Sequence, residues 1–180
     1  MTETEAFTQA MHHKEGSYAQ RVALYQQWVA FLPPQSVVYD IGCGDGAWLD
    51  CCVAAGHTGI GMDPDPARAK TSPYPIITQD RPDPYPAGIT VATAFHVIEH
   101  VPPSVAFHWF WTAPVTQWGI ITPNWHHPTQ KDLFWEDPTH IRPYPSDLIE
   151  ALLKAAGFTI ILYKGSQAND LDTVIWASRG

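Results

Sequence analysis

A glycine-rich turn directly behind a short apolar segment constrains the fold of this chain more than any other feature. The apolar segment is Val37–Ile41, and the turn that follows, residues 42–46, reads GCGDG. Residues 47–55 have the pattern of a helix, which Gly56 ends. Closely spaced glycines permit a positive φ and let a ligand approach the backbone. The segment therefore predicts a strand, a ligand-binding turn and a helix in succession.

Apolar runs and helical patterns alternate along most of the 180 residues, which indicates parallel strands with crossover helices. A first helix is predicted over Tyr18–Leu32, where apolar residues recur at three- and four-residue spacings before Pro33-Pro34. Short helices are predicted at Ser104–Trp111 and at Ser146–Ala156, the latter capped by Ser146. Predicted strands comprise Val37–Ile41, Thr58–Met62, Ile76–Asp80, Ile89–Phe95, Trp118–Thr122, Phe158–Tyr163 and Thr173–Ala177.

The last two predicted strands are joined by a short segment without a helix pattern, so they should be antiparallel neighbours. The predicted fold class is α/β, with a single Rossmann-like, doubly wound and mostly parallel sheet that has an antiparallel closing strand. Residues 1–16 are polar and predict a flexible N-terminal arm, and residues 17–180 predict one domain. Ligands of such sheets bind outside the carboxyl ends of the strands.

Composition and charge exclude several classes of protein. Hydrophobic residues make up 45% and charged residues 16%, which excludes a disordered chain or a coiled coil. The net charge is −8 and the basic residues are scattered, so nucleic acid is not an expected partner. No apolar run approaches ~18 residues, so no membrane insertion is expected, and the cytoplasm is the expected compartment. The oligomeric state stays open.

Asp63 ends the second predicted strand, where a carboxylate can bind both hydroxyls of a ribose. The dinucleotide fingerprint is Gly-x-Gly-x-x-Gly, whereas this chain has Gly-x-Gly-x-Gly, and Asp45 would repel a pyrophosphate. A ligand with a ribose and no phosphate therefore fits better. A nicotinamide-dependent oxidoreductase and a non-catalytic cofactor-binding module stay open as alternatives.

Four motifs together resemble the class I S-adenosylmethionine-dependent methyltransferases. They are Val38–Gly46, Gly61–Asp63, Phe95–Val101 and Leu152–Phe158. The resemblance covers roughly residues 20–180 and implies S-adenosylmethionine as cofactor. The chain is similar to small bacterial enzymes of the ubiquinone pathway and of glycan biosynthesis. In that family the glycine loop packs on the methionine part, the acid at Asp63 binds the ribose and the acid at Asp80 often receives the adenine amino group. The expected cofactor-binding residues are Asp40, Gly42, Cys43, Gly44, Asp63, Asp80, Phe95 and His96.

The sequence departs from this family in two places. The fourth strand often carries an acid before its apolar run, and Gly88–Val91 has none. Residues 66–75 are broken by prolines, so a full helix between strands two and three is not expected. The adenine pocket is therefore expected to be more open than usual.

His96, Glu99 and His100 have i, i+3 and i+4 spacing, and the resemblance places them beside the transferable methyl group. His100 is the first candidate for a general base, because imidazole accepts a proton near neutral pH. Glu99 and His140 are the other catalytic candidates, and the alternative is that Glu99 or His100 only ties the loop down. The same three residues are candidate metal ligands. Ubiquinone-pathway O-methyltransferases have Glu-x-x-Glu-His here, with His96 replacing the first Glu, so metal use stays open.

Residues 122–144 form a long segment rich in proline, histidine and aromatic residues after strand five. Long loops in compact domains are usually functional. Phe134–Tyr144 is similar to a segment of bacterial methyltransferases, some of which act in surface-polysaccharide and glycan biosynthesis. A structural lid held by an internal Asp–His or Asp–Arg bond is the alternative. The expected substrate-binding residues are Asn124, Trp125, Trp135 and Arg142.

All 17 prolines lie between Pro33 and Pro145, and 12 of them fall in connections that leave the carboxyl ends of predicted strands. Proline fixes φ and narrows the unfolded ensemble. A stiffened rim around the ligand is therefore expected. The predicted function is S-adenosylmethionine-dependent methylation, with the oxygen of a small molecule or glycan as acceptor.

Overall fold

The computed structural model describes residues 17–165 and 170–180, so the predicted N-terminal arm lies outside the described residues. Seven strands are present in this part of the chain. They are β1 Val37–Ile41, β2 Thr58–Asp63, β3 Ile76–Thr78, β4 Val91–Phe95, β5 Gln117–Pro123, β6 Thr159–Lys164 and β7 Asp172–Ser178. They form one sheet in the order β3-β2-β1-β4-β5-β7-β6.

The pairing of the strands confirms the predicted fold class. The strands β1 to β5 pair in parallel with one another, whereas β7 pairs antiparallel with both β5 and β6. Six α-helices accompany them in the described residues: α1 Tyr18–Tyr25, α2 Ala47–Ala54, α3 Pro66–Thr71, α4 Pro103–Thr112, α5 Pro128–Leu133 and α6 Ser146–Ala155. Three 3₁₀ helices span Gln26–Phe31, Ile98–His100 and Phe134–Glu136.

Helices cover both faces of the sheet and create two apolar cores. One core joins α4 and α6 to the sheet around Tyr39, Trp109 and Trp118, and the other joins α1 and α2 to it around Trp48 and Trp176. Because both faces are covered, every residue of β4 and β5 is buried. The short helix α3 agrees with the expectation of no full helix between strands two and three.

The first predicted helix changes form partway along its length. It is α-helical only to Tyr25 and continues as the 3₁₀ helix Gln26–Phe31. A 3₁₀ helix has three residues per turn, so Trp28 and Phe31 lie on the same side of it. Phe31 stacks on Trp176 with ring centroids 5.9 Å apart, which fixes the tighter winding against the sheet.

Two further predictions at element ends are wrong. Ser146 does not cap α6, because Pro145 holds the N-cap position and its carbonyl accepts from the backbone N–H of Leu148 and Ile149. The third strand ends at Thr78 rather than at Asp80. The helix α5 was not expected from the sequence.

The strand order reverses direction between β1 and β4, the two central strands of the parallel part. Open α/β sheets bind their ligands outside the carboxyl ends of the strands at such a switch point. A ligand site is therefore expected at the residues that follow β1, β2, β4 and β5. None of the helices within residues 17–165 and 170–180 has the length and apolar character needed to cross a membrane.

Candidate active site

The turn after β1 has the backbone that its glycines predict. Gly42, Gly44 and Gly46 have φ of +69°, +54° and +85°. A Cβ on Gly42 would lie 2.5 Å from Cγ2 of Val97, whereas a Cβ on Gly44 would meet no described atom within 4 Å. Gly42 therefore lets the loop pack against the turn after β4, and the space beside Gly44 is open to a ligand.

Asp63 stands beside this turn at the end of β2 and is half-buried. Its Oδ2 accepts from the Gly44 backbone N–H at 3.0 Å, and its Oδ1 accepts from the Asp65 N–H at 2.9 Å. A carboxylate has about four acceptor positions. The two bonds orient the group and leave acceptor capacity for the hydroxyls of a ribose.

Cys43 joins the turn to β2 from the inside. Its N–H donates to the carbonyl of Met62 at 2.9 Å, and a Cβ on Gly61 would lie 2.5 Å from its Sγ. Burial raises the pKa of the Cys43 thiol well above its ordinary value. A thiol that stays protonated is a packing group rather than a nucleophile.

Asp40 lies beneath the turn and is 3% exposed. The Thr93 hydroxyl donates to its Oδ1 at 2.7 Å, and the Trp48 indole N–H donates in turn to Thr93 Oγ1 at 3.1 Å. Burial raises the pKa of Asp40 to about 7, although the bond from Thr93 opposes the shift. The group is thus poised to carry a proton near neutral pH.

Two other expected cofactor residues differ in their exposure. Asp80 lies beyond the end of β3, with a side chain that is 79% exposed and 3.5 Å from Arg81. Phe95 is buried at the end of β4 and packs on Trp48 with ring centroids 5.0 Å apart. Phe95 is therefore a core residue at the carboxyl end of β4, whereas Asp80 is exposed to solvent beyond the end of β3.

The turn after β4 carries His96, Glu99 and His100, but they do not share one α-helical turn. Only Ile98–His100 is helical, and His96 precedes it with φ +57°. The His96 N–H donates to the carbonyl of Ile121 at 2.7 Å. Its ring lies between two carboxylates, with Nδ1 3.7 Å from Glu99 Oε1 and Nε2 3.9 Å from Asp172 Oδ2.

Glu99 is buried, with 1% of its surface exposed, and ties three segments together. The Thr122 hydroxyl at the end of β5 donates to its Oε2 at 2.9 Å, and its carbonyl accepts from the Ile141 N–H at 2.9 Å. Burial would raise the pKa of Glu99, but the hydrogen bond from His96 and the charges of His96 and His100 hold it below the ordinary value. Glu99 is therefore a buried anion at neutral pH.

His100 contacts the loop that follows β5. Its Nδ1 lies 2.9 Å from Thr139 Oγ1, and Thr139 Oγ1 donates to Asp137 Oδ1 at 2.5 Å. The His100 and His140 rings lie 4.8 Å apart. The His140 Nδ1 is 2.6 Å from the carbonyl of Phe134, and its Nε2 is 3.7 Å from Asp137 Oδ2. The structure thus brings both candidate bases together.

Among the described residues, one group of side chains could hold a metal ion, and it consists of Glu99, His100 and His140. Each offers one ligand atom, and these atoms all lie within 4.8 Å of one another. The sequence candidates included His96 in place of His140. Imidazole and carboxylate groups suit divalent transition metals. In this arrangement the Glu99 carboxylate is already engaged by Thr122 and His96, so a metal ion would compete with those contacts.

The four expected substrate-binding residues lie in different surroundings. Asn124 is buried, and its amide donates to the carbonyl of Asp170 at 2.7 Å while its Oδ1 accepts from the His126 N–H. Trp135 is 57% exposed, and Trp125 is half-buried. Arg142 is exposed, with its Cζ 6.0 Å from the Tyr144 ring centroid. Asn124 thus supports the loop, whereas Trp135 and Arg142 are open to solvent.

Three polar residues of this site were not singled out from the sequence. The Thr139 hydroxyl lies within hydrogen-bond distance of His100, and the Thr122 hydroxyl donates to Glu99. Asp172 begins β7 beside His96, and burial raises the pKa of its carboxyl. Thr139 lies in the aromatic segment already noted, but its pairing with a residue 39 positions away has no local signal.

Residues 12–163 match the family described as "Methyltransferase domain". No curated protein sequence gives a significant match. An S-adenosylmethionine-dependent methyltransferase from Archaeoglobus fulgidus is similar at 21% identity and TM-score 0.75, over 91% of this chain and 95% of that one.

Two other solved structures show the same fold at lower identity. Magnesium protoporphyrin IX methyltransferase from Synechocystis has 17% identity and TM-score 0.63, over 89% of this chain and 79% of that one. A possible histamine N-methyltransferase from Thermotoga maritima has 12% identity and TM-score 0.68, over 91% of each chain. The fold is thus that of class I methyltransferases. Because the family match covers well over half of its length, the chain belongs to the methyltransferase-domain family.

Proposed function

We propose that the protein transfers the methyl group of S-adenosylmethionine to a hydroxyl oxygen of a small molecule or a glycan end. The observation that carries the choice of oxygen is the His100 imidazole, which the loop after β5 holds beside the carboxyl ends of β4 and β5. Transfer to an alcohol oxygen benefits from a base that removes the hydroxyl proton. Family membership and fold support the methyl donor.

The residues around the glycine turn fit this donor. The open space at Gly44 accommodates the methionine part, and the oriented carboxylate of Asp63 accepts from the ribose hydroxyls. Asp80, at the solvent side, would receive the adenine amino group. When bound, S-adenosylmethionine supplies a methyl group that its sulfonium has already activated. The chain's own task is therefore to align the two reactants and to exclude water.

His100 is the residue we assign to the proton. Its Nδ1 is engaged by Thr139, and its Nε2 has no hydrogen-bond partner among the described residues. We expect Nε2 to accept the proton of the acceptor hydroxyl. His140 lies next to it and can take the proton onward, while the buried Glu99 anion stabilises the positive charge of either ring.

The aromatic side chains of the loop after β5 support an acceptor with a flat or sugar-like face. Trp125 packs edge-on against Phe134, which itself lies against the His140 ring, with centroids 4.3 Å apart. Trp135 adds an exposed ring next to it. Such rings stack on apolar or sugar faces, and Arg142 adds hydrogen-bond donors at the same loop.

Mass spectrometry of the purified protein tests the donor. We expect S-adenosylmethionine or S-adenosylhomocysteine to co-purify or to bind when added, and NAD not to bind. A screen with methyl-labelled S-adenosylmethionine against sugars, phenols and lipids then identifies the acceptor. Product bearing the label on oxygen supports the proposal. Label on nitrogen or carbon, or cofactor binding without any transfer, would contradict it, the second outcome favouring a non-catalytic binding module.

A further inference from the structure

Thr139 and Asp137 form a hydrogen-bonded chain behind His100. Thr139 Oγ1 lies 2.9 Å from His100 Nδ1 and 2.5 Å from Asp137 Oδ1, and the Thr139 backbone N–H also donates to Asp137 Oδ1 at 2.8 Å. A threonine hydroxyl has one proton and can donate it to only one of these neighbours. The direction of donation therefore decides the protonation of the imidazole.

The ionised state of the Asp137 carboxylate determines to which neighbour the Thr139 hydroxyl donates its proton. Burial would raise the pKa of Asp137, but the two hydrogen bonds that its Oδ1 accepts from the Thr139 hydroxyl and backbone N–H lower it below its ordinary value. Asp137 is thus ionised at neutral pH and carries no proton of its own, so the proton between the two oxygens belongs to Thr139. The Thr139 oxygen then has only lone pairs to offer His100, whose Nδ1 must be the donor.

We propose that Thr139 and Asp137 are positioning residues that hold neutral His100 as the Nδ1–H tautomer and leave its Nε2 lone pair facing the acceptor. The inference rests on the proposed function of His100 as base. When Nε2 takes up the hydroxyl proton, the imidazolium keeps its Nδ1–H bond to Thr139. The negative charge of Asp137, one bond further on, stabilises the new positive charge.

The position of the loop supports this assignment. The Ile141 and Arg142 backbone N–H groups donate to the Glu99 carbonyl at 2.9 and 3.4 Å, and the Tyr144 hydroxyl donates to the Val101 carbonyl at 2.8 Å. These bonds fix the loop to the turn on both sides of His100. Thr139 therefore meets the imidazole in a defined place and not by chance contact of a free loop.

The tautomer can be measured without an acceptor. Long-range ¹H–¹⁵N correlation spectra of the histidine-labelled full chain, with S-adenosylhomocysteine added, report which ring nitrogen carries the proton, and His100→Gln assigns the signals. We expect Nδ1–H in the wild type and in Thr139→Ser, and a reduced Nδ1–H population in Thr139→Val. An Nε2–H tautomer in the wild type, or an unchanged Nδ1–H tautomer in Thr139→Val, would overturn the proposal.

Kinetics with an acceptor from the labelled-methyl screen supply the second readout. We expect Thr139→Val to lower kcat at least about tenfold, a part of what a general base contributes, with KM for the acceptor unchanged. Thr139→Ser should restore kcat, and Asp137→Asn should lower it to an intermediate value. An increase in the KM for the acceptor, with kcat unchanged, would show that Thr139 only holds the loop in place for acceptor binding. If no acceptor is methylated, the proposed function fails while the spectra still decide the tautomer.

Discussion

The Asp63 carboxylate accepts a hydrogen bond from the Gly44 backbone N–H at 3.0 Å, which links the end of β2 to the glycine turn after β1. The glycine turn and Asp63, which are the two most prominent features of the sequence, therefore form one structural unit. The turn presents open backbone, and the acid beside it presents acceptor oxygens. A nucleoside ligand that spans both strands would contact them together.

Replacement of Asp63 by alanine should weaken S-adenosylmethionine binding roughly 100-fold. The substitution removes two hydrogen bonds to a charged group, and each contributes about 1.5 kcal/mol. Isothermal titration calorimetry gives the dissociation constants directly. Asp80→Ala is the matched comparison, and because Asp80 is exposed its loss should be at most about tenfold. Equal affinity of Asp63→Ala and wild type would remove Asp63 from the cofactor site.

Alanine at the first two glycines of the turn should destabilise the fold to different extents. Both positions have positive φ, which costs an alanine roughly 1–2 kcal/mol. At Gly42 the new methyl group also meets Val97 at 2.5 Å, which adds about 1–3 kcal/mol of overpacking. Urea unfolding should therefore rank Gly42→Ala below Gly44→Ala in stability.

A double-mutant cycle with Val97→Ala separates the two causes. If the contact with Val97 produces the additional loss at Gly42, the shorter side chain should relieve it, and the cycle should give a favourable coupling energy. The same cycle with Gly44 should give none. Coupling energies near zero at both positions would mean that φ alone sets the cost.

The buried Asp40 should make stability depend on pH. Because its pKa rises from 3.8 to about 7 on folding, the native state holds a proton that the unfolded state releases. Its contribution to stability is full below pH 3.8 and is lost as pH rises through 7, at about 1.4 kcal/mol per pH unit within that window. Asp40→Asn should therefore gain about 2–3 kcal/mol over wild type between pH 5 and pH 8.

Urea unfolding at both pH values tests this difference. Asp132→Asn, an exposed carboxyl on α5, serves as the control and should show no pH-dependent change relative to wild type. A constant difference between Asp40→Asn and wild type at pH 5 and pH 8 would mean that Asp40 keeps the same protonation state when the chain folds.

The fold and the cofactor side of the site could be predicted because their signals are local in sequence. The glycine turn, Asp63 and the alternation of strands and helices each depend on neighbouring residues. The 3₁₀ helix after Tyr25 could not be predicted, since it depends on the stacking of Phe31 on Trp176 in a distant strand. Element ends were missed for a similar reason, as at Pro145, where the backbone caps α6 without a side chain.

The acceptor side of the site was predicted only in outline. The sequence singled out both His100 and the segment with His140, but their contact through Thr139 joins residues far apart in the chain. The burial of individual residues within this segment could not be predicted from the sequence either. Asn124 and Trp135 lie in the same polar and aromatic segment, yet the first is fully buried and the second is exposed.

Removal of metal ions should leave methyl transfer intact. The proposed chemistry assigns the proton to His100 and needs no ion at the Glu99, His100 and His140 cluster. We expect equal rates before and after treatment with EDTA and dialysis, with metal content checked by mass spectrometry. A loss of activity that Mg²⁺, Mn²⁺ or Zn²⁺ restores would show instead that these side chains hold a metal ion.

The most direct test is the rate of methyl transfer by His100→Gln with the acceptor found in the labelled-methyl screen. Glutamine keeps polar atoms at this position but cannot act as a base near neutral pH. We predict that kcat falls roughly 10²- to 10⁴-fold, that calorimetry shows unchanged affinity for S-adenosylmethionine, and that the wild-type product carries its new methyl group on oxygen. Transfer by His100→Gln at the wild-type rate would contradict the assignment of His100 as the base.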